Sequence, residues 1–163
     1  MRSERGFTLI ELLVVVAFIG IMAAMGIPRL QESTRRNAVW TTSEMIGSQI
    51  RQARLKAISR NTSFRIRFNC PAAGQFRVLQ FMDDPTIDNA SNRCTQQQTH
   101  DSGVLPLGSH ISLSGTLPML QVNSRGVFTS TTGIPATITV TYDGSTSRQL
   151  SVSGTGQINF GTY

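Results

Sequence analysis

Hydrophobic and polar positions follow three successive patterns along the chain. Residues 12–27 carry neither a charge nor a side-chain hydrogen-bonding group. Extended back to Phe7 the stretch spans, as a helix, about 31 Å at 1.5 Å per residue, the thickness of a bilayer core. Residues 29–60 are mixed, with no proline and no glycine except Gly47. There Val39, Ile46, Ile50, Ala53 and Ala57 fall within about 40° of one line on a helix, a stripe that faces a packed domain. Trp40 and Ile58 lie roughly 100° off that stripe and Leu55 nearly opposite, so a second apolar face remains. It is either buried in the same domain or packed against another chain.

Beyond residue 60 the period falls to 2. In residues 63–69, Phe64, Ile66 and Phe68 alternate with Arg65 and Arg67, the pattern of a half-buried strand. Residues 70–74 predict a turn and 75–82 a returning strand. In 136–142, Ile138, Val140 and Tyr142 alternate with threonines, and Asp143-Gly144 turns the chain into 148–153, a hairpin signal. Residues 111–113, 120–122, 126–129 and 157–160 are shorter strands, while 83–103 is polar with no apolar period. The class is α+β: a long N-terminal helix, membrane half plus amphipathic half, packed on an antiparallel β-sheet domain of seven or so strands. No internal repeat and no Ser/Gly linker divides helix from sheet.

Length and composition allow one ordinary domain and exclude a disordered or collagen-like chain, since 39% of residues are hydrophobic and 15% charged. The net charge of +6 is almost wholly arginine, with Lys56 the single lysine. Ten cations face only Glu32 and Glu44 between residues 29 and 77, whereas three arginines face five aspartates beyond. This asymmetry has two readings. One is a polyanion such as DNA, with Arg65, Arg67 and Arg77 as candidate contacts. The other is lipid headgroups together with ion pairs between chains. Aromatic residues for base stacking are sparse in the basic region, which holds Trp40, Phe64, Phe68 and Phe76.

Catalytic motifs are lacking. His100 and His110 are the only histidines, and no nucleophile elbow, phosphate loop or His-Glu-x-x-His occurs. No enzyme and no cofactor is expected. Asp83, Asp84, Asp88, Asn89 and Asp101 offer oxygen ligands for calcium, but without EF-hand spacing; the expectation is no metal site.

The apolar run admits several readings. Arg2 and Arg5 precede it, which places the start of the chain in the cytoplasm and residues after Ile27 beyond the membrane. A secretory signal peptide fits the basic start and the small residues Ala23, Ala24 and Gly26; a plain anchor fits the length. Neither explains Glu11, a carboxylate costing about 2.5–3.5 kcal/mol at membrane depth. Residues 6–15, Gly-Phe-Thr-Leu-Ile-Glu-Leu-Leu-Val-Val, closely resemble the cleavage and assembly motif of type IV pilins and type II secretion pseudopilins. The resemblance implies that prepilin peptidase removes leader 1–6 between Gly6 and Phe7 and methylates the Phe7 amine. It further implies that Glu11 pairs with that amine on a neighbouring subunit, a pairing that low dielectric favours over two lone charges. Bending of the 7–28 helix at Gly20 and Pro28 during packing is also implied, although membrane helices tolerate both residues anyway.

Further along, residues 54–61 (Arg-Leu-Lys-Ala-Ile-Ser-Arg-Asn), 123–126 (Asn-Ser-Arg-Gly) and 148–156 (Arg-Gln-Leu-Ser-Val-Ser-Gly-Thr-Gly) resemble the GspH/FimT/FimU group. These are minor pilins of type IV pili or the minor H pseudopilin of type II secretion. The resemblance implies a structural, priming subunit at or near a filament tip, held first in the bacterial inner membrane with residues 29–163 periplasmic. Its implied partners are other pilins or pseudopilins, the prepilin peptidase, the inner-membrane assembly platform and the bilayer. The FimT branch binds DNA through a Gly-Arg-x-Arg motif; here residues 156–159 read Gly-Gln-Ile-Asn, without either arginine. Outside the cytoplasm disulfides persist, so Cys70 and Cys94 are expected to bridge and clip the 83–103 segment to the sheet, the alternative being two free thiols.

Overall fold

A computed structural model describes residues 8–161; the Gly6–Phe7 processing site lies outside them. Helix α1 spans Leu9–Arg60. Thr8 caps it: its hydroxyl accepts the Glu11 N–H at 3.3 Å and its carbonyl the Leu12 N–H at 3.2 Å. The hydroxyl satisfies one of the amide donors that every helix start leaves open. The helix continues through Gly20, Gly26 and Pro28. Pro28 withholds only the N–H that would bond the Ala24 carbonyl.

The chain divides into two units, residues 1–36 and 37–163. In the first, the apolar side chains of α1 are exposed on every side. Its most apolar window has a mean hydropathy of 2.5, and α1 is the one helix among the described residues long and apolar enough to cross a membrane. Glu32 and Arg36 pair one turn apart on it.

The second unit adds β1 (Ser63–Phe68), β2 (Gln75–Phe81), α2 (Pro85–Asp88), β3 (Leu105–Pro106), β4 (Ile111–Ser114) and β5 (Leu120–Val122). β6 (Phe128–Ser130), β7 (Ala136–Tyr142), β8 (Thr146–Val152) and β9 (Ile158–Phe160) complete it. All strand pairs are antiparallel, in two sheets ordered β3-β2-β1-β5-β6 and β4-β7-β8-β9. Val39, Ile46, Ile50, Ala53 and Ala57 of α1 form one buried cluster with residues of both sheets, among them Phe64, Ile66, Phe76 and Val78 from the first and Ile138, Val140, Leu150 and Val152 from the second. Gly47 lies in this stripe because β9 comes close: a Cβ there would stand 3.1 Å from the Phe160 ring. Asp143 and Gly144 both take positive φ in the β7–β8 hairpin, the conformation that this dipeptide tolerates best.

Sequence patterning located eight of the nine strands among the described residues, but it carries no information about which strands share a sheet, and the described strands form two sheets. β3 has only two residues, too short for a period to show. The single-turn α2 interrupts the polar 83–103 segment; its signal was Asp84-Pro85, an N-cap followed by a proline at the first helical position.

Candidate functional site

Three places in the molecule carry unusual chemistry, and the first is the start of α1. Glu11 is exposed at the third position of the helix, three residues after its Thr8 cap. A glutamate there is also what a capping box uses, and a negative charge near a helix start is favourable in itself. Glu11 therefore has a local role available beside any role in assembly.

The second place is the first sheet's outer face. Since Phe64, Ile66, Phe76 and Val78 point to the core, Arg65, Arg67, Arg77 and Leu79 point outward. Residues 83–103 form a strap over the β2 side of this face, fastened by the Cys70–Cys94 disulfide, whose Cα atoms are 5.2 Å apart. The strap does the work of a missing strand along the β2 edge. Ser102 Oγ accepts the Val78 N–H at 2.9 Å, Asp101 that of Gln80 at 2.7 Å, and Asp88 that of Met82 at 3.1 Å. An edge closed in this way offers no template to another strand.

Inside the strap lies a buried ion pair that the sequence pattern did not reveal. Arg93 and Asp101 have side chains 1% and 0% exposed and meet at 2.6 Å. Arg93 also donates to the Gln80 carbonyl, and Asp101 accepts the Gln98 N–H. Burial would raise the Asp101 carboxyl, but its bonds from Arg93, Gln98 and Gln80 hold it below the ordinary carboxylate range. The same Asp101 bond raises the Arg93 guanidinium against desolvation. Asp84 is lowered by the hydroxyl and N–H of Thr86.

Arg77 is corrected by this arrangement. One of the candidate nucleic-acid contacts, it is 3% exposed and donates to the carbonyls of Cys94, Gln96 and Ser102. It pins the strap instead. Arg65 is half-buried, with its guanidinium 4.5 Å over the Phe81 ring. It is lowered by burial and by the neighbouring Arg67 and Arg93 against the attraction of Asp88. Of the aspartates weighed as calcium ligands, Asp84, Asp88 and Asp101 are spent on backbone N–H groups and Arg93, and the described residues hold no group of three acids, histidines or cysteines suited to a metal.

At the third place, the scattered motifs of residues 54–61, 123–126 and 148–156 meet. Arg54 donates through Nε to the Gly126 carbonyl at 3.1 Å. Its stem passes between two glycine turns: a Cβ on Gly126 would lie 2.8 Å from Ile58 and 3.0 Å from Arg54 Nε, and one on Gly156 2.9 Å from Phe128 and 3.0 Å from Arg54 Cδ. Both glycines have positive φ, +78° and +80°. Farther back along α1, about 21 Å from Arg54, a second contact ties the helix to β8: the Arg148 guanidinium lies 3.9 Å from the Trp40 ring centre and 4.4 Å from that of Phe160 on β9, with Glu44 at 3.4 Å. These contacts lock α1 to the sheets, so the motifs encode packing rather than a reaction centre.

An α1 with an all-apolar first half and a striped second half, docked through residues 37–60 on two antiparallel sheets, defines the architecture of a pilin-like subunit. Comparison with known proteins agrees. Residues 42–156 match the family model described as Type II transport protein GspH, and residues 1–27 match the prokaryotic N-terminal methylation motif. The chain belongs to this GspH family of type IV pilins and pseudopilins, whose members are structural subunits rather than catalysts. It is 29% identical to the pilin-like protein PilA1 of Thermus thermophilus, over 95% of this chain and 97% of that one. A fimbrial protein of Pseudomonas aeruginosa is 56% identical over 39 residues, so the chain spans only about a quarter of that relative's length. Among solved structures, the type IV minor pilin FimU of Pseudomonas aeruginosa aligns with a TM-score of 0.54 at 16% identity, over 79% of this chain and 92% of that one. The minor pseudopilin EpsH of Vibrio cholerae aligns with a TM-score of 0.51 at 15% identity, over 75% and 94%. At such identities the likeness is one of fold.

Proposed function

We propose that this chain is a minor pilin of a type IV pilus, a priming or structural subunit. It waits in the inner membrane with its first residues cytoplasmic and residues 29–163 periplasmic. Prepilin peptidase cuts it between Gly6 and Phe7 and methylates Phe7, and the assembly platform then passes it into a filament with other pilins. Glu11 pairs with the Phe7 amine of a neighbour during that transfer, and α1 bends between Gly20 and Pro28 to fit. The observation that carries the reading is the methylation-motif match over residues 1–27, in which Glu11 is the lone carboxylate of the apolar run. Intact mass and N-terminal fragmentation of protein from its native membrane test it. The expected chain starts at a methylated Phe7; a start near residues 24–27, or an intact Met1 in assembled material, would overturn the reading.

A second reading, the minor H pseudopilin of a type II secretion system, is supported by the GspH model match over residues 42–156. Deleting the chain separates the two: lost surface filaments favour the pilus, and substrates retained in the periplasm favour secretion. DNA binding in the FimT manner loses support, since Arg77 is buried and residues 156–159 lack arginine.

A further inference from the structure

The outer face of the first sheet is only half covered. Over β2 lies the strap, which brings four aspartates and one arginine and gives its carbonyls to Arg77. Over β1 the strap reaches only as far as Arg65, through Asp88 and Asn89, and the rest of the face is open: Arg67 and Gln121 are half-exposed and Thr129 is exposed. No salt bridge reaches Arg65 or Arg67 among the described residues. Arg65 makes only long bonds of 3.3–3.4 Å, to the Asp88 carbonyl and the side chains of Asn89 and Gln121, and its Nε is buried without any partner. Beside Arg67, a notch of about 140 Å³ opens between Phe68, Leu117, Pro118 and Met119.

We infer that this bare half-face docks an extended acidic segment of a partner protein, one carboxylate meeting Arg67 and Arg65 and an adjacent aliphatic side chain entering the notch. The covered half shows which chemistry fits: an acidic polypeptide that supplies carbonyl and carboxylate oxygens to outward-pointing guanidinium groups. A nucleic acid fits less well. With Arg77 engaged, two arginines are too few for a phosphate track, and the strap's aspartates border them. The docking chemistry is the same whether the filament is a pilus or a secretion pseudopilus, so the inference stands apart from that choice.

The test uses the full-length protein in detergent micelles and a short fluorescent peptide alternating Asp and Leu, with a Ser–Leu peptide, empty micelles and duplex DNA as comparisons. Saturable, salt-sensitive binding of the Asp–Leu peptide is expected. Arg67→Glu should weaken it by about tenfold or more, while Arg125→Glu, at an exposed arginine elsewhere, should leave it unchanged. Trp40 emission confirms that both variants are folded. Equal binding by the two variants, equal binding of the Ser–Leu peptide, or Arg67-dependent binding of DNA that displaces the peptide would each overturn the inference.

Discussion

Within α1, residues 9–27 turn apolar side chains to every side and bury none, whereas residues 39–57 bury one stripe and leave the remainder half-exposed or open. The two stretches belong to one helix, yet they are written for different surroundings. A stripe specifies a neighbour on one side, and the two sheets supply it. Apolarity all round specifies an environment on all sides, which this chain does not itself provide. Glu11 sharpens the contrast, since a carboxylate in such an environment needs a partner from outside or a role in starting the helix. The largest effect follows from separating those two roles. Glu11→Ala removes both the charge and the capping group, while Glu11→Gln keeps a residue suited to the third helical position and removes the charge alone. Both variants are expected to accumulate normally in the membrane and to abolish entry into filaments, measured in sheared surface fractions. Normal assembly by Glu11→Gln would reduce Glu11 to a capping residue.

The second unit answers to folding stability instead. The Arg93–Asp101 pair lies where neither charge reaches water, so Asp101→Asn leaves a buried guanidinium uncompensated and should cost about 3–5 kcal/mol. Denaturant unfolding followed by emission from Trp40, the only tryptophan, measures it. The sign with pH follows from the lowered Asp101 carboxyl. Its contribution is complete above the unfolded-state value of about 3.9 and fades as pH falls through the lower folded-state value. Stability should therefore hold from neutral pH to about 5 and decline below about 4, and Asp101→Asn should flatten part of that decline. An unchanged acid limb in the variant would remove Asp101 from it.

Hydrophobic truncation gives the most direct comparison of the two halves of α1. Ile50 is 0% exposed in the stripe, so Ile50→Ala should cost about 2–5 kcal/mol of domain stability in the same unfolding measurement. Val16→Ala, in the exposed run, should leave that value unchanged. A comparable loss for both would mean that residues 9–27 fold together with the domain.

These contrasts also mark what could be read from the chain beforehand. The stripe on α1, the alternating strands and the Asp143-Gly144 hairpin are local patterns whose periods survive in linear order, and Cys70–Cys94 followed from compartment and count. The clip that holds the 83–103 segment to the sheet was legible in that cysteine pair, but the order inside the strap was not. Its order rests on Arg93, Asp101, Arg77 and Ser102, polar residues that satisfy one another and the β2 edge across separations of 8 to 25 residues. No periodicity marks such a segment, and in sequence Arg77 on β2 reads as a candidate nucleic-acid contact rather than as the strap's anchor. The knot of Arg54 with Gly126 and Gly156 was visible as three motifs but not as one contact, because its 72-residue span from Arg54 to Gly126 is set only by the tertiary fold.

Glycines bring the comparison to its finest scale. Gly156 combines a φ of +80° with a would-be Cβ 2.9 Å from the Phe128 ring and 3.0 Å from the Arg54 stem. Gly156→Ala must bear a left-handed backbone, about 1–2 kcal/mol, together with overpacking against Phe128 and Arg54. A total loss of about 2–3 kcal/mol is expected from the two causes together. Gly20 has nothing within 4 Å of its would-be Cβ and an ordinary helical backbone. Gly20→Ala should therefore leave domain stability untouched and strengthen α1 locally by about 1 kcal/mol. If α1 must bend at Gly20 to enter a filament, that small local gain will appear as slower assembly of a protein whose unfolding curve has not moved. Unchanged assembly kinetics would place the bend elsewhere, at Gly26 or Pro28.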